Sequence, residues 1–132
     1  MDQQDQKRYT KLLFAIGVVA TNHGLCKKAD DIIQPLVKLN PTKEEPIIGL
    51  GYNLITWAKP AKAVELFRDK ARSIKTPSPM YDAMTGFALF LNKQFGEAER
   101  LFNAVKSRGQ ADPVAVRLAE SLLVEMGSSS PA

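Results

Sequence analysis

This chain has a single cysteine, Cys26, so it forms no intrachain disulfide, and the expectation is a reducing cytosol. Its single histidine, His23, removes most metal and acid–base schemes, which need several such donors. No apolar run approaches the ~20 residues of a membrane helix. The N-terminus, Met1 to Arg8, is polar and lacks the apolar stretch of a signal peptide. Runs of five or six like charges are absent too. The net charge of +4, from 18 basic and 14 acidic residues, is interspersed. That pattern describes a solvated surface and not a nucleic-acid stripe. The carboxylate pairs Asp30-Asp31, Glu44-Glu45 and Glu97/Glu99 fall on polar helix faces, and Gly49-Leu50-Gly51 lies inside a helix and is no phosphate loop. The expectations are therefore no enzyme, no cofactor, no metal site, no nucleic acid and no membrane insertion.

What the chain does have is one pattern written three times. Gly17, Gly51 and Gly86 are spaced by 34 and then 35 residues. Ala29, Ala63 and Ala98 keep the same spacing, and so do Ile33, Phe67 and Phe102. In each copy the alanine follows the glycine by 12 residues, and the apolar residue follows the alanine by four. A mid-helix glycine costs up to ~1 kcal/mol against alanine. Accepting that cost three times at one register implies a close backbone approach there. The apolar residues Ile33, Phe67 and Phe102 are expected to fill the groove between neighbouring repeats.

The spacing predicts seven helices. Residues 1–7 read as a flexible polar tail or a frayed helix start. Helices follow over about 8–22, from Cys26 to about Leu39, and over about 45–58, 60–74, 79–92, 95–107 and 113–126, with residues 127–132 a disordered end. The sixth helix is expected to end near Gly109. Pro35 is expected to kink or break the second helix. Thr42 with Glu45 fits a capping box. Ser78-Pro79 and Asp112-Pro113 fit a cap followed by a first helical residue. Leu13, Ile16, Leu50, Leu54 and Ala88 supply the core face of the first helices. Trp57 reads as an inter-helix wedge, and Cys26 as a small core residue. One domain over residues 8–126 is the expected unit.

A period of 34 with Gly, then Ala-x-x-x-Phe, resembles the tetratricopeptide (TPR) helix-turn-helix repeat over about residues 10–126. In the family pattern W-x2-L-G-x2-Y, the leading aromatic slot holds Leu13, Ile47 and Asp82. The Leu-Gly pair is Ile16-Gly17, Leu50-Gly51 and Thr85-Gly86, and the tyrosine slot holds Ala20, Leu54 and Leu89. The resemblance implies an all-α fold: a TPR-like solenoid of three helix-turn-helix repeats plus a C-terminal capping helix. It also implies that the first helix of each repeat lines a concave surface. Carried over by register, the lining is Phe14, Val18 and Thr21, then Ile48, Tyr52 and Ile55, then Met80, Phe87, Phe90 and Leu91. TPR adaptors that clamp a carboxylate use lysine and asparagine on this face, whereas Val18, Tyr52 and Phe87 stand here. An apolar lining suits an amphipathic helix or apolar segment of a protein client.

Small three-repeat TPR proteins with such a lining resemble the chaperones of bacterial type III secretion. The resemblance implies a bacterial cytoplasmic protein that holds a secretion component, the needle subunit or another early export substrate, with the needle subunit favoured as client. A second small co-chaperone is a further partner that it implies. The alternative is a general TPR adaptor or scaffold subunit in a standing cytosolic complex.

Overall fold

Three helix starts follow directly from side chains that satisfy orphan backbone donors. The Asp2 carboxylate accepts the Asp5 N–H at 2.8 Å, the Ser78 hydroxyl accepts the Tyr81 N–H at 3.2 Å, and the Asp112 carboxylate accepts the Ala115 N–H at 3.1 Å. In this computed structural model, which describes residues 2–108 and 110–129, the chain forms seven helices. They are α1 (Gln3–Asn22), α2 (Cys26–Leu39), α3 (Glu44–Thr56), α4 (Pro60–Ala71), α5 (Pro79–Leu91), α6 (Phe95–Arg108) and α7 (Pro113–Ser129). No strand occurs among the described residues.

Four local expectations are corrected. The Asp2 cap lets α1 begin at Gln3, so the polar residues up to Lys7 are helical and not a tail. Likewise α7 continues past Met126 through Gly127 to Ser129; residues 130–132 and Gly109 lie outside the described residues. Of the kink or break expected at Pro35, the break does not occur: the second helix continues from Cys26 to Leu39. Buried Ile33 ahead of the proline and Leu36 and Val37 after it anchor both halves to the core. The Thr42 capping box does not form: Lys43 is the N-cap of α3 and makes no side-chain cap bond. Pro46 then falls in the first turn, where its missing N–H has no intrahelical partner to lose.

The chain divides into two compact units after Ile74. In the N-terminal unit α1 packs on α2, and α3 packs on α1, α2 and α4. In the C-terminal unit α6 packs on α5, and α7 packs on both. Thus α7 stands to the α5–α6 hairpin as α3 stands to the α1–α2 hairpin. It is the first helix of a fourth repeat, closed by the buried Ala115 and Ala119.

The repeated residues meet inside their own hairpins. A Cβ on Gly17 would lie 2.6 Å from Ile33 Cγ1, one on Gly51 2.6 Å from Phe67 Cε2, and one on Gly86 2.5 Å from Phe102 Cε1. Ala29, Ala63 and Ala98 are fully buried beside them, as are Ile33, Phe67 and Phe102. The large residues therefore pack against the glycine of their own hairpin. The close backbone approach at the glycines is as expected.

A second repeating device sits in the turns. Gly24, Ala58 and Lys93 have φ of +76°, +59° and +64°. After each comes an N–H that reaches back into the preceding helix: Leu25 to the Ala20 carbonyl, Lys59 to Leu54 and Gln94 to Leu89, each at 2.8 Å. These are Schellman caps, in which a left-handed residue satisfies the last carbonyls. Only the first copy has the glycine that this conformation favours. A left-handed non-glycine residue costs roughly 1–2 kcal/mol, part of which glycine returns as unfolded-state entropy. Lys93→Gly and Ala58→Gly are therefore each expected to stabilise the protein by about 0.5–1 kcal/mol. Urea midpoints unchanged or lowered in both would show that the turns are not strained.

Candidate functional site

The ten residues read as one lining divide between the two units. On the N-terminal unit, Phe14 and Val18 of α1 and Ile48, Tyr52 and Ile55 of α3 stand part-exposed on two helices that pack together. Spacings of three, four and seven keep each set on one helix face. Phe14 separates the two backbones: a Cβ on Gly49 would lie 2.9 Å from its Cζ. Tyr52 is 36 % exposed. Its hydroxyl donates to Asn22 Oδ1 at 3.1 Å, which pins the ring across the end of α1. The result is a fixed apolar surface with one polar edge.

Thr21 does not belong to that surface. It is 1 % exposed, and its hydroxyl donates to Asn53 Oδ1 at 2.9 Å. Asn53 is fully buried and donates through Nδ2 to the Cys26 carbonyl at 2.9 Å. A buried hydroxyl and amide are tolerated because each is satisfied. This network ties the α1–α2 turn to α3, and no motif marked Asn53 beforehand.

On the C-terminal unit, Met80, Phe87 and Phe90 are half-buried, and Leu91 is exposed. Phe90 meets Phe95 edge to face, with ring centroids 5.7 Å apart, at the tip of the α5–α6 hairpin. Phe95, half exposed, is a surface aromatic that the register did not select. The start of α5 is tied to the end of α6 where Arg108 pairs with Asp82 and donates to the Pro77 carbonyl.

Ile16 is corrected from core to surface. It lies 45 % exposed on a strip with Tyr9, Leu12 and Val19, on a side of α1 that neither α2 nor α3 covers. Leu13 and Leu54 are half-buried, while Leu50 and Ala88 are buried as expected.

No group of metal-binding side chains occurs among the described residues. None of the described helices is long and apolar enough to cross a membrane. His23 caps α1 through its backbone N–H, bonded to the Val19 and Ala20 carbonyls. The Lys27 ammonium is held above the ordinary lysine range by its hydrogen bond to Asp31 and that carboxylate's charge. Both side chains are exposed, so this is surface pairing.

No family model and no curated protein matches the chain. Solved structures do. PcrH in complex with the chaperone-binding region of PopD aligns with a TM-score of 0.75 at 18% identity, over 92% of this chain and 91% of that one. A type III secretion complex from Aeromonas hydrophila aligns at 0.74 and 18% identity, over 92% and 82%. The Yersinia enterocolitica type III secretion translocator chaperone SycD aligns at 0.70 and 14% identity, over 91% and 86%. The chain has the TPR-like fold of these chaperones. At such low identity the likeness shows the fold alone.

Proposed function

We propose that this protein is a TPR chaperone of bacterial type III secretion, acting in the cytoplasm. It binds an apolar or amphipathic segment of a translocator protein and keeps it soluble before export. It is a binding protein and not an enzyme. The observation that carries this reading is the end-to-end match to PcrH, whose structures contain the chaperone-binding regions of PopD and PopB. The sequence favoured a needle subunit; these partners and SycD's description favour a translocator instead.

The α1–α3 surface supplies the chemistry for such a client. Phe14, Val18, Ile48 and Ile55 offer apolar area, and the pinned Tyr52 ring adds a rigid anchor. Met80, Phe87 and Leu91 on α5 are a further candidate contact. Aromatic anchors dominate binding energies in interfaces of this kind. Recognition through buried apolar area carries a negative heat-capacity change and little dependence on salt.

The test is co-expression with a translocator encoded beside this gene, followed by calorimetry on the purified pair. Tyr52→Glu places a charge under the client's apolar face and is expected to weaken binding at least tenfold (about 1.4 kcal/mol or more). Its helical circular dichroism should match wild type, since Tyr52 is at the surface. Binding unaffected by Tyr52→Glu, or abolished by moderate salt, would move recognition off this face. A partner that stays bound as a permanent subunit would indicate a scaffold.

A further inference from the structure

On the other side of α3 the N-terminal unit holds an open cleft of about 780 Å³ between α2 and α4. Its floor is apolar: Leu50, Leu54 and Trp57 from α3 and its C-cap, with Leu66 from α4. Leu50, Leu54 and Trp57 recur at helical spacing on one side of α3. Ile48, Tyr52 and Ile55 recur on the opposite side. The cleft is therefore separate from the client surface, and one can be filled without disturbing the other.

The rim of the cleft is basic. Lys59, Lys62, Arg68 and Arg72 all line it. The Lys59 ammonium sits 3.6 Å from the centre of the Trp57 ring, a cation–π contact that sets the indole's position. This is where the protein's surplus charge resides. Through Ile74 the chain has twelve basic and eight acidic residues, and after it six of each. From Lys59 to Arg72 there are five basic residues against two acidic. Asp30, Glu65 and Asp69 also line the cleft. A polyanion such as nucleic acid would meet those three carboxylates. A helix with interspersed charges would place a lysine against each of them.

We propose that this cleft is a second protein-docking site, and that its occupant is a net-acidic amphipathic helix seating large apolar side chains on Trp57, Leu54 and Leu66. The charge complementarity selects the partner's sign, and the apolar floor selects a folded helix face over an extended acidic tail. The occupant binds while the client surface is full, so the protein can engage two partners at once.

Trp57 is the only tryptophan, so its fluorescence reports the cleft alone. The probe is a synthetic 18-residue helical peptide with a leucine–phenylalanine stripe, an excess of glutamate and a few lysines. Its controls are a scrambled peptide of the same composition and a single-stranded oligonucleotide. The helical peptide is expected to shift Trp57 emission, with affinity falling at least tenfold from low to high salt as the charges are screened. Lys62→Glu with Arg72→Glu is expected to weaken binding at least tenfold, and Lys62→Gln with Arg72→Gln by a smaller factor. Both positions are exposed, and unchanged circular dichroism verifies the fold of each variant. Tyr52→Glu should bind the peptide as wild type does, which separates this proposal from the client reading. The proposal is overturned by any of four results. They are no emission shift, equal binding of the scrambled peptide, preferential binding of the oligonucleotide, or an equal loss from Lys28→Glu with Lys38→Glu outside the cleft.

Discussion

Phe67→Ala is expected to remove about 3–5 kcal/mol of stability, the usual cost of emptying an aromatic core site. The phenylalanine is fully buried, and its ring lies over Gly51, so no backbone can close the space that its loss would leave. The same contact makes a less obvious result. Gly51→Ala favours the helix by up to ~1 kcal/mol. Even so, it should destabilise the protein by about 1–3 kcal/mol, because the added methyl displaces a ring held on all sides. With Phe67→Leu the ring is gone, and much of that penalty should vanish. Urea unfolding of the four species closes a double-mutant cycle. If Gly51→Ala stabilises the wild-type background, the ring is not confined as described.

Asn53→Ala is expected to cost about 1–3 kcal/mol. The amide accepts from Thr21 and donates to the Cys26 carbonyl, and all three groups are away from water. Removing it deletes two buried hydrogen bonds of about 0.5–1.5 kcal/mol each, while the Cys26 carbonyl keeps its place in the α2 ladder and the Thr21 hydroxyl keeps the Gly17 carbonyl. The small cavity adds to this. Thr21→Val should cost less, because Asn53 would still hold the Cys26 carbonyl. An unfolding midpoint for Asn53→Ala equal to wild type would mean that water replaces the amide without loss.

The glycine, alanine and phenylalanine register was legible because it depends on short spacings repeated three times, and each copy places a small residue against a large one. The starts of α5 and α7 were legible for a similar local reason: Ser78-Pro79 and Asp112-Pro113 carry their caps within three residues. What failed is what local pattern does not contain. Polar residues Gln3 to Lys7 read as a tail, yet one capping carboxylate two residues into the chain suffices to begin a helix. Ile16 has a core-like spacing, but burial needs a covering element, and neither α2 nor α3 reaches that side of α1. Thr21 shares a helix face with Phe14 and Val18, and its partner is 32 residues away. The left-handed turns at Ala58 and Lys93 went unread because neither residue advertises that conformation. The basic residues of α4 were visible, but their grouping with Leu54 and Trp57 requires α2 and α4 in place.

Hairpins written on one pattern face a problem of order, since each offers nearly the same surfaces to its neighbours. The positions that match Asn53 in α1 and α5 hold Val19 and Ala88. If α5 took the place of α3 against the first hairpin, the Thr21 hydroxyl and the Cys26 carbonyl would face a methyl group in place of the amide that joins them. Asn53 therefore works as an address label, written once, that marks α3 as the rightful neighbour of the first hairpin. Its loss should show as hairpins exchanged between copies of the chain when the protein is refolded at high concentration.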